Sequence, residues 1–131
     1  TRRLTERYQG KAPRRRMEIL MAGLRGHLQP MEVEEDDDKF TVISGLCGSG
    51  GRQVKDGLYD RPEGLLRVKE PQAMTFGRPD FPVYCVHCYF ANHAPLNEDG
   101  SPMFVCEPAA NPGHEPCRMM IEKKGVWAGQ D

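Results

Sequence analysis

Along this chain the spacing of apolar positions changes, marking out one helix and a few strands. After Pro13, the residues Met17, Leu20, Met21, Leu24 and Leu28 recur at steps of three and four, the period that lines one face of an α-helix. Pro13 suits a first helical turn, and Pro30 bars continuation through Gln29. The spacing predicts a helix over 13–29 whose Met/Leu stripe docks on a sheet. Gly23 and Gly26 lie off the stripe and weaken that helix by about 1 kcal/mol each. Beyond Pro30 the period shortens. Met31 and Val33 alternate with Glu32 and Glu34, and Phe40 and Val42 with Thr41 and Ile43, on either side of Asp36-Asp37-Asp38-Lys39. That pattern predicts a β-hairpin with one polar face.

Turn formers then dominate. Residues 53–82 read mostly as loop with at most short strands, and 97–102, NEDGSP, as a turn. MFVCE (103–107) and CRMMIEK (117–123) read as strands joined by the loop PAANPGHEP. The predicted class is α+β: an N-terminal helix packed on a small antiparallel β-sheet, with long Gly/Pro-rich loops around a metal site. The 131 residues form one expected domain, with a basic arm over 1–12, the helix over 13–29 and a β-rich, cysteine-containing core over 30–131.

Composition changes this picture in one respect. Apolar residues make up 38% of the chain, which also holds 14 Gly and 11 Pro, so a staple beyond hydrophobic burial is expected. The net charge of -1 gives no whole-molecule field for nucleic acid or membrane. The charge is uneven, however. Residues 1–16 carry seven Lys/Arg against one Glu, and residues 32–38 carry six acids. The basic arm is expected to be solvated, paired with the chain's own acidic turn, or used with the helix to hold a partner protein. The acidic run lacks the spaced ligand pattern of a calcium loop and reads as a solvated turn. No stretch approaches the length of a membrane span, and no apolar run follows the basic start as in a signal peptide.

Five cysteines, Cys47, Cys85, Cys88, Cys106 and Cys117, are an odd number. They read as reduced thiols of a cytoplasmic protein rather than as a disulfide framework. The stretch PVYCVHCYFANH places Cys85 and Cys88 at C-x-x-C spacing, with His87 inside and His93 beyond. Such a turn points both sulfurs one way and chelates a single ion. Two more ligands must come from elsewhere. Cys106 with Cys117 is one completion, and Cys47 with Cys117 is another. Cys106 sits mid-strand beside Phe104 and Val105, where cysteine acts as a small apolar residue. Cys47 and Cys117 sit at strand ends, where the backbone can turn a sulfur inward. The preferred set is Cys47, Cys85, Cys88 and Cys117 around Zn2+.

Other residues carry possible chemistry. In LCGSGGRQ the glycines let the backbone turn as a nest of N–H groups, and Arg52 adds a planar fork for an anion. The phosphate-loop pattern is absent. A tight loop carrying Cys47 is the simpler reading, with Arg52 satisfied internally by a carbonyl or an acid. Arg78 is expected to pair with Asp80, and Phe76, Phe81 and Tyr84 to wall the site as an aromatic cluster.

CGSGGR, a later FGR, then P-x-Y-C-x-H-C and a late cysteine together resemble a family of small, poorly characterised bacterial proteins with the same Cys-rich signature. The resemblance covers residues 40–122 and falls on Cys47, Gly48, Gly50, Gly51, Arg52, Arg78, Cys85, His87, Cys88 and Cys117. It implies a metal-binding or thiol-dependent role and favours Cys47 over Cys106 as a ligand. It transfers no reaction. Beside the zinc-organised domain stand a zinc- or thiolate-dependent enzyme using Arg52, His87 and Arg78 on a small anionic substrate, and an iron–sulfur module. A nucleic-acid-binding ribbon is disfavoured, because the C-x-x-C region lacks interleaved Lys and Arg.

Overall fold

A computed structural model describes residues 6, 8, 10–27, 29–93, 97 and 99–124 of the chain. Helix α1 spans Pro13–Arg25, with Pro13 in its first turn as the sequence predicts. It ends four residues before the predicted Gln29. Its last turn closes through the Gly26 N–H onto the Gly23 carbonyl at 3.2 Å. Two glycines in that turn lower helix propensity, and Pro30 demands extended backbone before it. Leu28, the last residue of the predicted stripe, lies outside the described residues.

Four strands form an antiparallel sheet: β1 (Met31–Glu35), β2 (Lys39–Ser44), β5 (Val105–Glu107) and β6 (Cys117–Glu122), in the order β1-β2-β6-β5. β5 is shorter than the predicted 103–107, and β6 stops one residue before Lys123. Between the two halves of the sheet lie α2 (Gly50–Lys55), a two-stranded ladder of β3 (Arg67–Val68) with β4 (Phe81–Pro82), and α3 (His87–Ala91). Two 3-10 turns, Ala73–Thr75 and Val83–Val86, complete this region.

The strand register explains where the core sits. Phe40 pairs with Ile121, Val42 with Met119, and Ser44 with Cys117, while Cys106 pairs with Met119. Directly opposed residues share a face, and alternate residues of a strand return to it. One face therefore carries Phe40, Val42 and Ile121 at one end and Cys106 and Cys117 toward the other. Helix α1 packs on this face over β2 and β6. Its Met17 and Leu20 join Phe40, Val42, Met103 and Ile121 in the core, with Met21 and Leu24 half-buried against it. On edge strand β1, Met31 packs against this core, whereas Val33 stays 39% exposed despite its inward alternation.

The basic segment is only partly the solvated arm expected. Tyr8 is buried in the core, its ring 5.7 Å from that of Phe104. Residues 1–5, 7 and 9 lie outside the described residues. Arg16 is buried at 3% exposure; its Nη1 and Nη2 donate to the carbonyls of Met103 and Glu122, at 3.2 and 3.1 Å. Arg14 and Arg15 pair with Glu18 on the outer surface of α1. The acidic turn is a local structure, as expected. The Asp36 carboxylate accepts the N–H groups of Asp38 and Lys39, each at 2.8 Å, and lysines 39, 123 and 124 pair with Asp36, Glu35 and Asp38. Among the described residues, no helix is long and apolar enough to cross a membrane.

Candidate functional site

The β2–β6 register brings Cys117 beside Ser44, and three residues later the chain reaches Cys47. The intervening loop is fastened to the end of the α1 segment. Gln29 donates to the Ser44 hydroxyl at 2.8 Å and accepts the Gly48 N–H at 3.1 Å, and both Gln29 and Ser44 are buried. A Cβ on Gly48 would stand 1.9 Å from the His27 carbonyl oxygen, so only glycine fits there. The Cys47 sulfur then faces the backbone that opens α2. The Ser49 hydroxyl lies 3.1 Å from it. Burial pushes the Cys47 thiol up, but that hydroxyl and the N–H groups of Gly51, Ser49 and Gly50 outweigh burial and leave it below the ordinary value.

Cys85 sits in the second 3-10 turn, buried, against the same helix. A Cβ on Gly50 would lie 2.8 Å from its sulfur. Buried Tyr59 locks this contact: its hydroxyl donates to Gln53 of α2 at 3.1 Å and accepts the Tyr84 N–H at 3.2 Å. Burial pushes Cys85 up to about 12, with Cys88, Cys117 and Cys47 adding to the rise by repulsion.

Cys117 accepts the Ala109 N–H at 3.3 Å. Burial raises its thiol, and Cys88 and Cys47 add to this by repulsion. Arg78 holds the loop that supplies this N–H, donating to the carbonyls of Ala109 at 2.5 Å and Pro108 at 3.1 Å. The expected Arg78–Asp80 pair is therefore replaced by a longer reach. Left-handed backbone at Phe76, Gly77 and Asp80 shapes the bend that carries Arg78.

Cys88, half-buried on α3, has its thiol raised first by the neighbouring Cys106 thiol and then by burial. His87 turns its Nδ1 to the Tyr84 carbonyl at 2.5 Å, with Nε2 3.9 Å from the Cys88 sulfur. The neighbouring Cys88 raises the His87 pKa. Asn92 clamps α3 to β5, donating to the Cys106 carbonyl at 3.0 Å and accepting its N–H at 2.5 Å.

The fold thus gathers Cys47, Cys85, Cys88 and Cys117 within electrostatic reach of one another and sets Cys106 against Cys88. The donor chemistry suits a soft cation, and the N–H groups at Cys47 and Cys117 suit thiolates. Placement stops short of coordination. Among the described residues, no three His, Cys, Asp or Glu side chains are grouped closely enough to hold an ion. Arg52 corrects its expectation: it is exposed on α2, and its side chain forms no hydrogen bond or ion pair among the described residues. The aromatic cluster joins Phe76 to Phe81 and Tyr89, at 6.0 and 6.2 Å, whereas Tyr84 turns outward against His87. Sequence reasoning missed Gln29, Tyr59 and Asn92. Their partners lie on other elements, and no local spacing signals them. Comparison with family models, with curated proteins and with solved structures returned no match.

Proposed function

We propose that this chain is a small zinc-binding protein in which Cys47, Cys85, Cys88 and Cys117 organise the fold and the surface it offers a partner protein. One observation carries the reading: Cys88, Cys117 and Cys47 all oppose ionisation of buried Cys85. Four thiols from three segments, three of which oppose the negative charge of Cys85 and two that of Cys117, are natural company for a cation. Zinc bound by thiolates removes both the repulsion and the burial penalty. The amides around Cys47 and Cys117 fill the role of outer hydrogen-bond partners that orient such ligands. An ion held by these four residues would displace their thiol protons and add its binding free energy to that of folding. Reduced thiols fit the cytoplasm. The partner surface is the outer side of α1, where Arg14 and Arg15 stand exposed above the anchored Arg16.

Elemental analysis of reduced protein tests this. One zinc per chain is expected, lost in Cys47→Ala and Cys117→Ala and kept in Cys106→Ala. A chain that takes up no zinc overturns the reading, and a brown, sulfide-containing protein replaces it with an iron–sulfur module. A second reading, an enzyme acting on a small anionic substrate, has the exposed and unengaged Arg52 in its favour. It requires a carboxylate or phosphate ligand whose binding Arg52→Lys abolishes without shifting the melting temperature.

A further inference from the structure

We propose that the free edge of β1 is a docking strand for an extended, basic segment of a partner protein, in which Lys or Arg alternates with an apolar residue. This does not depend on the zinc reading, and the surface is separate from the outer side of α1. The sheet has two edge strands, β1 and β5, and they are finished differently. On β5 the outward N–H and carbonyl of Cys106 are both taken by the Asn92 side chain. On β1 no side chain does this among the described residues. The Gly45 N–H donates to the Pro30 carbonyl, and the Asp36 N–H to the Lys39 carbonyl, each at 3.0 Å. These bonds fix the phase of the β1–β2 ladder, because bonded and non-bonded pairs alternate along it. Glu32 and Glu34 therefore turn their backbone groups toward β2, and Met31, Val33 and Glu35 turn theirs outward. The outward groups have no partner among the described residues.

The side chains select the occupant. Glu32 and Glu34 are exposed on the sheet face away from α1, and neither carboxylate has a partner among the described residues, whereas Glu35 is taken by Lys123. Val33, on the other face, is exposed too. In a strand added at this edge, the residue opposite Val33 shares its face, and the residues on either side share the face of Glu32 and Glu34. The matching segment is basic, apolar, basic. Beside Glu32 lies an apolar groove of about 300 Å³, lined also by Pro30, Met31, Ile43, Gly45 and Pro116. It accommodates the methylene stem of the basic residue opposite Glu32, with the charge at the carboxylate. Edge charges commonly guard a sheet against self-association. Here they exclude a second copy, because antiparallel β1–β1 pairing about Val33 sets Glu32 of each chain against Glu34 of the other. The same carboxylates attract a cationic strand, whose main-chain bonds supply affinity and whose alternate side chains supply specificity.

The probe is a short capped peptide alternating lysine and valine, titrated into the full chain at physiological salt. Binding is read by fluorescence anisotropy, and amide hydrogen exchange is followed residue by residue by NMR. Binding is expected, with the N–H groups of Met31, Val33 and Glu35 newly protected. The same peptide with N-methylated valines keeps its charge and side chains but loses the donors that face β1. It should bind about tenfold or more weakly. Glu32→Lys combined with Glu34→Lys should weaken binding by a similar factor. Both positions are exposed, and circular dichroism checks the fold of the variant. Should the variant not fold, the N-methylated peptide and the exchange map of the parent decide. Equal affinity for the N-methylated peptide, or protection mapped to the Asp36–Asp38 turn instead, reduces the contact to charge attraction and overturns the docking strand, as does a peptide that fails to bind. A peptide alternating glutamate and valine that binds as tightly overturns the choice of occupant. So does protection of the same three amides in the peptide-free chain as its concentration is raised, the mark of a second copy.

Discussion

Arg16 shows how far a single side chain can depart from its surroundings in sequence. It sits in a run of three arginines, two of which stay at the surface, yet it is buried and donates to carbonyls on either side of the last two sheet strands. Its Nε finds no partner among the described residues, and burial lowers its pKa. Truncation would leave two carbonyls unpaired and open a void. Arg16→Ala is expected to cost about 2–3 kcal/mol in urea unfolding. Arg16→Met refills the volume without a charge and should cost less. Equal losses would show that the bonds, not the packing, dominate. Cys85 gives a second test at this scale. Its folded pKa, about 12, lies above the ordinary 9. A thiol held neutral in the fold contributes its full stability below pH 9, and that contribution is lost as pH rises toward 12. The melting temperature of metal-free protein should fall across that window, and less so in Cys85→Ala.

Among the elements, short α2 matters out of proportion to its length. Its first residue lies against Cys85 and its amides face Cys47, so Gly50 joins two of the proposed ligands without being one. In Gly50→Ala the new methyl meets the Cys85 sulfur at 2.8 Å. Zinc affinity is expected to drop about 10–100-fold, as when an outer partner of a metal site is lost, read by competition with a chelator of known strength. Gly23→Ala is the contrast. Nothing lies within 4 Å of its Cβ, so the substitution should raise stability by roughly 0.5–1 kcal/mol through helix propensity alone. These two glycines also show what the sequence could reveal. Helix α1, the hairpin and β6 were legible because each repeats an apolar period over more than one turn or several alternations. Helices α2 and α3 span about one to two turns and have no period to read, so a Gly-rich loop and a C-x-x-C turn hid them. The four cysteines were legible as candidates from spacing and strand ends. The engagement of Arg78 with Pro108 and Ala109, the freedom of the Arg52 side chain and the hold of Asn92 on Cys106 all depend on distant segments meeting.

At the scale of the molecule, one sheet face serves two purposes. Its apolar end is covered by α1, and its other end carries cysteines flanked by Gly/Pro-rich loops. The core is small, and the segments 45–49, 83–91 and 108–116, loops and short turns, supply no residue to its main cluster. If zinc ties those loops together, its removal should affect more than the site. Chelation at neutral pH is expected to lower the melting temperature sharply and broaden the transition. An unchanged melting curve in verified metal-free protein would leave the apolar core as the sole support of the fold.

The strand order has a consequence for how such a chain is made. β6, the last of the strands in chain order, lies between β2 and β5 at the centre of the sheet. A ribosome extending this chain would expose β2 and β5 with no partner between them until residue 122 had emerged. Through that interval Cys47, Cys85, Cys88 and Cys106 would already be outside the exit tunnel, without Cys117 and without a completed sheet to bury them. Assembly would then be a late, nearly single event, governed by contacts far apart in sequence. Nascent chains stalled before residue 117 should remain open to thiol-alkylating reagents, and those released a few residues past 122 should become protected together.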